Sequence, residues 1–378
     1  MSNYFDTYFA LKSPLHDPHF LPMGARVVLR ADLNMPIVNG KILDDFRLRE
    51  LLPTLDALLK KKAHIRLLTH IGKPNGPDAQ LSTQPIAAWL KDHGYPLENK
   101  RKSTEGSIFV EENVRFDPRE QEPDLQYAHK LTYNADYYIN DAFGSVHRHN
   151  TSLTLLAEQF DSTKRGIGLL MEKELHTLGT VRTQPQRPVV LVLGGGKIDK
   201  LKIAAQLADS YADTLLLCPL LGPVVALFHL HEVQDEIQKL QQSKKIKVPL
   251  DYMVSNNFPW RSPFHVVPAA KLAGLPLAVS IGPQTILAWK PILENAGTII
   301  FNGPMGKASL PETTVELQEL LNIIAHSSAY SIVGGGDSLQ AVDTYNLTSS
   351  LSYCSTGGGA MLAYLAGEKL PALEALLT

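Results

Sequence analysis

The sequence predicts an α/β protein of two domains, each built on a parallel, doubly wound sheet. Short apolar runs alternate with helix-like stretches, and buried parallel strands have this continuous apolar character. The length of 378 residues, 44% of them apolar, is enough for two domains that each bury a core. A Pro/Gln-rich break, TQPQRP at 183–188, separates the two series of apolar runs.

Apolar runs in the first half are predicted to form strands, and each is followed by a polar cluster. Between the first two runs, Phe46–Lys62 carries leucines at positions 48, 51, 52, 55, 58 and 59, which is the spacing of one helix face. The predicted strands of this half lie within 26–34, 64–74, 107–116 and 136–144.

The apolar runs of the second half end in glycine clusters or in a proline. They lie at 189–197, 213–219, 297–307, 330–338 and 351–359. Upstream of them, LLMEKELHTLGTVR at 169–182 is typical of one helix that leads into the linker. We therefore expect an N-terminal domain over 1–171, a connecting helix and linker over 172–186, and a C-terminal domain over 187–360.

Composition excludes several classes of protein. The 36 Lys and Arg against 38 Asp and Glu give a formal charge of −2, which does not suit a nucleic-acid partner. Cys218 and Cys354 share no metal-binding or disulfide-rich spacing, so we expect a reducing cytoplasmic location. The N-terminus, interrupted by Asp6, lacks the pattern of a signal peptide, and the longest uncharged stretch, 214–228, is too short for a membrane span.

The predicted strands of the first half end in charged and amide side chains. In open α/β sheets ligands bind beyond the carboxyl ends of the strands, so these groups should converge there. Guanidinium and imidazole groups together suit a small, multiply charged anion, although any one of them alone is more often a surface charge or a structural group. The residues are Arg30, Asp32, Asn34, Arg47, Arg49, His70, Lys73, Arg115, Asn140, Asp141, His147 and Arg148.

Glycine clusters follow the strands of the second half. Backbone N–H groups without a neighbouring Cβ can approach an anion closely, and a helix N-terminus adds its dipole. With Lys197 and Asp337 beside them, the clusters at 194–196, 303–306, 334–336 and 357–359 predict a polyphosphate site that also holds Mg²⁺. Tight-turn packing is the alternative for any single cluster.

Two different anion sites on two domains predict group transfer between their ligands. Phosphoryl transfer requires mainly positioning and charge neutralisation, and hinge closure of two domains would keep water out of the reaction. No segment fits G-x-G-x-x-G or G-x-x-x-x-G-K-[ST], which weakens the dehydrogenase and P-loop interpretations.

The same segments resemble the signatures of the phosphoglycerate kinase family, in order, from about residue 24 to 372. This resemblance implies two Rossmann-like domains in a monomer and the reaction 1,3-bisphosphoglycerate + ADP ⇌ 3-phosphoglycerate + ATP with Mg²⁺. The segments are RADLNMP (30–36), DDFRLR (44–49), THIGKPNG (69–76), ENVRF (112–116), NDAFGSVHR (140–148), LGGGK (193–197), FNGPMG (301–306), GGGDS (334–338) and STGGGA (355–360).

The resemblance also implies roles for individual residues. Phosphoglycerate would be bound by Asp32, Leu33, Asn34, Arg47, His70, Ile71, Gly72, Lys73, Arg115 and Arg148. The nucleotide phosphates would be bound by Gly194, Gly195, Lys197, Lys200, Asn302, Pro304, Gly334, Gly335, Gly336, Asp337 and Ser338, with Asp337 on the metal. The transferred group would be stabilised by Arg47, Lys197, Gly358 and Gly359, and the tail 361–378 would return to the N-terminal domain.

The chain departs from the family pattern mainly on the nucleotide side. GGGKIDKLK leaves either Lys200, which we prefer, or Lys202 as the second phosphate lysine. CPLLGP at 218–223 replaces a nucleoside-pocket segment, and Ser309 stands where the family has an acidic ribose ligand, with Glu312 as its substitute. These changes suggest an altered nucleoside preference, which a comparison of ATP, GTP and pyrophosphate as donors would test.

Two alternatives to an active kinase remain at this stage. A catalytically silent homologue could bind phosphoglycerate and act through interaction, but Arg47, Lys197 and Asp337 are all retained. A nicotinamide dehydrogenase ranks below it because the dinucleotide fingerprint is missing.

Overall fold

The computed structural model describes residues 4–97, 105–195, 199–219, 234–257, 259–272 and 278–378. The chain divides into two compact units, of which unit 1 comprises Met1–Gly179 with Gly367–Thr378 and unit 2 comprises Thr180–Ala366. No described helix combines the length and the apolar character that crossing a membrane would require.

Unit 1 is built on a parallel sheet with strand order β5-β4-β1-β6-β7. A short antiparallel pair, β2 and β3, lies outside it. The strands are β1 Arg26–Ala31, β2 Ile37–Val38, β3 Lys41–Ile42, β4 His64–Leu68, β5 Ser107–Val110, β6 Tyr137–Asp141 and β7 Arg165–Ile167. The helices of this part of the chain are α1 Tyr4–Phe9, α2 Phe46–Lys60, α3 Gln84–Asp92, α4 Leu125–Thr132 and α5 Leu169–Thr183.

Apolar cores cover both faces of this sheet, as a doubly wound fold requires. Leu48, Leu51 and Leu55 of α2 pack with Val27 of β1 on one face. Val28 of the same strand packs on the other face, because successive strand residues point to opposite sides. Strand β1 is therefore covered on both faces. It is also the central strand of the sheet, so its carboxyl end lies between those of β4 and β6.

Unit 2 contains a parallel six-stranded sheet, β10-β9-β8-β14-β15-β16, and a separate antiparallel sheet, β12-β11-β13. The strands are β8 Val189–Leu193, β9 Thr214–Leu217, β10 Ile246–Lys247, β11 Asp251–Ser255, β12 Phe264–Pro268, β13 Ala278–Ile281, β14 Thr298–Asn302, β15 Tyr330–Gly334 and β16 Tyr353–Ser355. The helices are α6 Asp199–Ser210, α7 Gln234–Gln242, α8 Pro283–Glu294, α9 Val315–His326, α10 Gly336–Thr344 and α11 Gly359–Ala366.

The C-terminal segment returns to unit 1 at Gly367, six residues later than the expected start at 361. Helix α11 before it is buried over Ala360–Leu365 and belongs to unit 2. The final helix, α12 Pro371–Leu377, buries Ala375 in the core of unit 1. Tyr8 of α1 donates a hydrogen bond of 2.6 Å to Glu374, which ties both chain ends to this unit.

Candidate active site

The carboxyl ends of β1, β4 and β6 lie side by side in unit 1. Arg30 of β1 is in register with Leu68 of β4 and with Asn140 of β6. The residues that follow these strands are therefore brought to one edge of the sheet, where ligands of open α/β sheets bind.

Asp32 lies at the centre of this edge and is paired with a guanidinium. Arg47, from the first turn of α2, donates from Nη1 to Oδ1 of Asp32 at 2.5 Å, and Ser145 donates to Oδ2 at 2.9 Å. Burial disfavours the ionised carboxylate, but the charges of Arg47 and Arg30, together with the hydrogen bond from Ser145, outweigh this and hold the pKa of Asp32 well below the usual value. Asp32 is therefore an anion that orients Arg47.

The loop after β4 is held by side chains of other loops. The amide of Gly72 donates to Oδ1 of Asn34 at 2.8 Å, and Nη1 of Arg115 donates to the carbonyl of Gly72 at 2.6 Å. Nδ2 of Asn113 donates to the carbonyl of Ile71 at 2.8 Å. These bonds fix the backbone between His70 and Lys73.

Cations at this edge outnumber the carboxylates that face them. Arg115 is only 4% exposed, and its Nε is buried without a hydrogen-bond partner. Burial, followed by the charges of Arg148 and Arg30, lowers the pKa of Arg115 to about 10. Among the described residues, neither Arg115 nor Arg148 forms an ion pair with a carboxylate. Lys73 is exposed. A buried cation without a counter-ion is expected where an anionic ligand supplies the missing charge.

The ten residues predicted to bind phosphoglycerate fall into two groups, according to whether they have a polar side chain that a ligand could contact. Leu33 and Ile71 have buried side chains, the amide of Leu33 donates to Thr69 Oγ1, and the carbonyl of Ile71 already accepts from Asn113. Gly72 has only backbone groups, and these are already bonded to Asn34 and Arg115. Side-chain groups that border this edge come from Asp32, Asn34, Arg47, His70, Lys73, Arg115 and Arg148. Thr69, Asn113 and Ser145 stand inside the motifs THIGKPNG, ENVRF and NDAFGSVHR, but no role for them was predicted from the sequence.

In unit 2, the glycine loops converge on a cleft of about 210 Å³. The cleft lies at the carboxyl ends of β14 and β15, which are in register from Thr298 with Tyr330 to Asn302 with Gly334. Its walls are Gly195, Lys200, Asn302, Gly303, Pro304, Gly335, Gly336, Asp337, Ser338, Gly358 and Gly359. We call this cleft the glycine cradle.

Lys200 places its ammonium group in the glycine cradle. Its Nζ donates to the carbonyl of Gly194 and to Oδ1 of Asn302, both at 2.8 Å. Asn302 in turn donates from Nδ2 to the carbonyl of Gly334 at 2.6 Å. Lys202 is exposed and is not part of the walls. The ammonium group is thus oriented by two oxygens at the wall.

The backbone around the cradle leaves no room for larger residues at two positions. Gly303 has φ +110°, and an added Cβ would lie 2.2 Å from the carbonyl oxygen of Gly194. Gly335 has φ +101°, and its Cβ would lie 2.9 Å from Nδ2 of Asn302. Only glycine adopts these conformations without strain, and it leaves the neighbouring amides open to a ligand.

Helices α10 and α11 begin at the cradle, with Gly336 and Gly359 as their first residues. The free N–H groups and dipoles of two helix N-termini favour phosphate oxygens. Asp337, in the first turn of α10, is exposed and borders the cleft. One carboxylate beside a phosphate site is a donor set that suits Mg²⁺, which takes its other ligands from phosphate and water.

A larger cavity of about 630 Å³ adjoins the glycine cradle on the side of α10. It shares Gly303, Pro304, Asp337 and Ser338 with the cradle, and Ser309 lies in its wall. Glu312, the expected substitute for a ribose carboxylate, is exposed in a short 3-10 helix and is not in this wall.

Two of the sequence-based expectations fall outside the described residues. Lys197, expected to stabilise the transferred group, lies in 196–198, and positions 220–223 of CPLLGP lie in 220–233. Cys218, the first residue of that segment, is buried directly after β9 and its amide donates to the carbonyl of Leu193.

Comparisons with known proteins agree on one family. The family model for phosphoglycerate kinase matches residues 20–368. A phosphoglycerate kinase of Thermomicrobium roseum is 33% identical, with 93% of this chain and 96% of that protein covered. The crystal structure of phosphoglycerate kinase from Pyrococcus horikoshii has a TM-score of 0.79 at 30% identity, covering 96% of this chain and 98% of that one. The Coxiella burnetii phosphoglycerate kinase structure has a TM-score of 0.71 at 30% identity, with 94% and 96% covered.

Proposed function

The chain belongs to the phosphoglycerate kinase family, and we propose that it transfers a phosphoryl group between 1,3-bisphosphoglycerate and ADP through the residues described above. The acceptor in the reverse direction is the carboxyl group of 3-phosphoglycerate. One of its oxygens bonds to the γ-phosphorus of ATP as the bond to the β-phosphate oxygen breaks, leaving ADP. The uncompensated cations around Asp32 are the observation that carries this proposal.

In unit 1, Arg115, Arg148 and Lys73 would neutralise the charges of the three-carbon acid. The buried Nε of Arg115, which lacks a partner, would gain an acceptor from the ligand. Arg47, held by Asp32, would stabilise charge on the group in transfer. In-line transfer of this kind needs positioning and charge neutralisation more than covalent work by the protein.

In unit 2, the glycine cradle would bind the nucleotide phosphates through backbone amides and Lys200. Asp337 would hold Mg²⁺, which when bound would neutralise negative charge on the nucleotide phosphates. Gly358 and Gly359 would offer amides at the start of α11 to the transferred group, together with Lys197. We also propose that the enzyme works as a cytoplasmic monomer with an altered nucleoside preference.

A coupled assay with 3-phosphoglycerate and Mg·ATP tests the activity, and calorimetric titrations of the two ligands test the sites. Lys200→Ala should weaken ADP binding and leave 3-phosphoglycerate binding unchanged, whereas Arg148→Ala should do the reverse. Lys202→Ala is the matched control, since this exposed lysine follows two positions later on the same helix. Absence of phosphoryl transfer with intact binding of both ligands would refute the proposed function.

The nucleoside preference needs a separate measurement, because it depends on the surroundings of Ser309 rather than on the cradle. Rates with ATP, GTP and pyrophosphate as donors should lie closer together than a pocket specific for one nucleoside allows. A strong preference for ATP over GTP would contradict this part of the proposal.

A further inference from the structure

A row of four buried polar groups runs from the interior of unit 1 to the predicted phosphoglycerate site. Glu120, Ser152, Arg30 and His70 have exposed fractions of 0%, 0%, 1% and 2%. The hydroxyl of Ser152 lies 2.7 Å from Oε1 of Glu120, and Nε of Arg30 lies 2.7 Å from the same hydroxyl oxygen. Nη2 of Arg30 is 3.4 Å from Nδ1 of His70.

The direction of every bond in this row follows from the chemistry of its groups. The backbone amide of Ser152 donates to Oε2 of Glu120 at 3.0 Å, so both carboxylate oxygens are acceptors. The hydroxyl gives its one proton to Glu120 and accepts from Arg30. A guanidinium has donors only, so Nδ1 of His70 must accept. In a neutral imidazole the proton then resides on Nε2.

The charges around His70 keep the ring neutral. Burial is the main cause that lowers its pKa well below the usual value, and the charges of Arg30, Arg115 and Arg148 act in the same direction. The negative charge of Asp32 acts in the opposite direction. Nε2 forms no hydrogen bond with another residue in the part of the chain that the structure describes. Its proton therefore remains available to a ligand oxygen.

We propose that Glu120, acting through Ser152 and Arg30, is a positioning residue that fixes His70 as the Nε2–H tautomer, a neutral donor to an oxygen of the bound phosphoglycerate. The identity of that ligand rests on the proposed function, whereas the tautomer does not. Glu120 touches no ligand in this scheme. Its contribution is to hold the guanidinium of Arg30, whose Nη2 donates to Nδ1 of His70 and so fixes the tautomer of the ring.

Glu120 and Arg30 also form a direct ion pair at 3.8 Å, which is too long for a hydrogen bond. Ser152→Ala therefore removes the hydrogen-bonded connection between them with the smallest change, and Ser107→Ala is its matched control. Ser107 is also a buried serine of unit 1 beside a histidine, 3.1 Å from Nδ1 of His64, but it lies at the opposite edge of the sheet. In ¹⁵N-labelled ligand-free protein, we expect His70 to show an unprotonated Nδ1 and a protonated Nε2. In Ser152→Ala these signals should shift towards a mixture of tautomers, and in Ser107→Ala they should not move.

Comparing KM for 3-phosphoglycerate with kcat and KM for ATP distinguishes a misplaced His70 from a general loss of structure. A weakened charge-assisted hydrogen bond should raise KM for 3-phosphoglycerate about fivefold in Ser152→Ala, with kcat and KM for ATP changed less than about twofold. Glu120→Gln should behave similarly. If it fails to fold, the serine pair still decides the question.

Amide substitutions of His70 supply the rescue test. His70→Gln places an N–H donor where Nε2 stood and should retain most of the affinity, whereas His70→Asn places its amide where Nδ1 stood and should lose it. A protonated Nδ1 in the wild type, or an unchanged His70 spectrum in Ser152→Ala, would overturn the proposal even if the kinase activity stands. Absent kinase activity with the expected spectra would refute the proposed function and leave the tautomer assignment intact.

Discussion

Arg115→Met should make ligand-free unit 1 more stable and at the same time weaken phosphoglycerate binding. The reason is that Arg115 is a buried cation whose Nε has no partner and whose neighbours include the cations Arg148 and Arg30. Methionine has a similar length and no charge, so it fills the space without this cost. Stability and ligand affinity should therefore change in opposite directions.

The size of the gain follows from the pKa of Arg115. A fall from 12.5 to about 10 corresponds, at about 1.36 kcal/mol per pH unit, to roughly 3 kcal/mol against the charged form in the fold. Relaxation of the protein and of nearby water around the charge reduces this to about 2 kcal/mol. Loss of the hydrogen bond to the carbonyl of Gly72 costs about 1 kcal/mol. We therefore expect a net gain of about 1 kcal/mol, or a rise of about 2–4 °C in the Tm of this unit.

The measurement is calorimetry of the wild type and of Arg115→Met, each with and without 3-phosphoglycerate. Without the ligand the variant should have the higher Tm, and with the ligand the wild type should. A ligand at 100 times its Kd stabilises the wild type by about 2.7 kcal/mol, and the variant should lose most of this. Arg66→Met is the control, because Arg66 is paired with Glu111 and donates to the carbonyl of Leu131 at 2.9 Å. Its loss should destabilise the unit by about 1–3 kcal/mol. If ligand-free Arg115→Met were less stable than the wild type by 1 kcal/mol or more, the argument for an uncompensated cation would fail.

Three further variants test other parts of the molecule. Asp337→Asn should reduce kcat/KM with Mg·ATP by about 100-fold while ADP binding in EDTA changes little, and an equal loss in both would contradict a metal-binding role. Gly335→Ala should weaken ADP binding and destabilise unit 2 by about 1–2 kcal/mol, because its φ is +101°; unchanged binding would remove this loop from the site. Asp141 is buried, and burial raises its pKa to about 7, so the wild type loses stability as pH rises from about 4 to 7. Asp141→Asn should remove that dependence and gain about 2–3 kcal/mol relative to the wild type between pH 5 and 7, as urea unfolding at both pH values would reveal.

The parallel sheets could be predicted from the sequence because buried strands are continuous apolar runs. Val189–Leu193 and Thr298–Asn302, for example, are buried at every position. Strand β12 of the antiparallel sheet in unit 2 gave no such signal. Phe264–Pro268 is exposed or half-buried along its whole length, so no apolar run marks it. An apolar run in the sequence reveals a strand only where the side chains of that strand are buried, and those of β12 are not.

Interactions between side chains that are distant in the chain could not be predicted from the sequence. The motif RADLN marks Arg30 as clearly as Asp32, but the motif does not show that Arg30 points into the interior towards Ser152 and Glu120. These residues lie 122 and 90 positions away in the chain, and only the pairing of β1 with its neighbours brings them together. Which donors remain available to a ligand is decided by such long-range bonds.

The two proposed anion sites differ in what they cost the ligand-free protein. The glycine cradle uses backbone amides and helix dipoles, which cost little when no ligand is bound because water can reach them. Around Asp32 the cations are partly withdrawn from water, so the free protein bears a cost that an anion relieves. A cluster of this kind would be lost if stability alone determined the residues. Methionine would pack as well at position 115, so the proposed anion binding, and not packing, accounts for an arginine there.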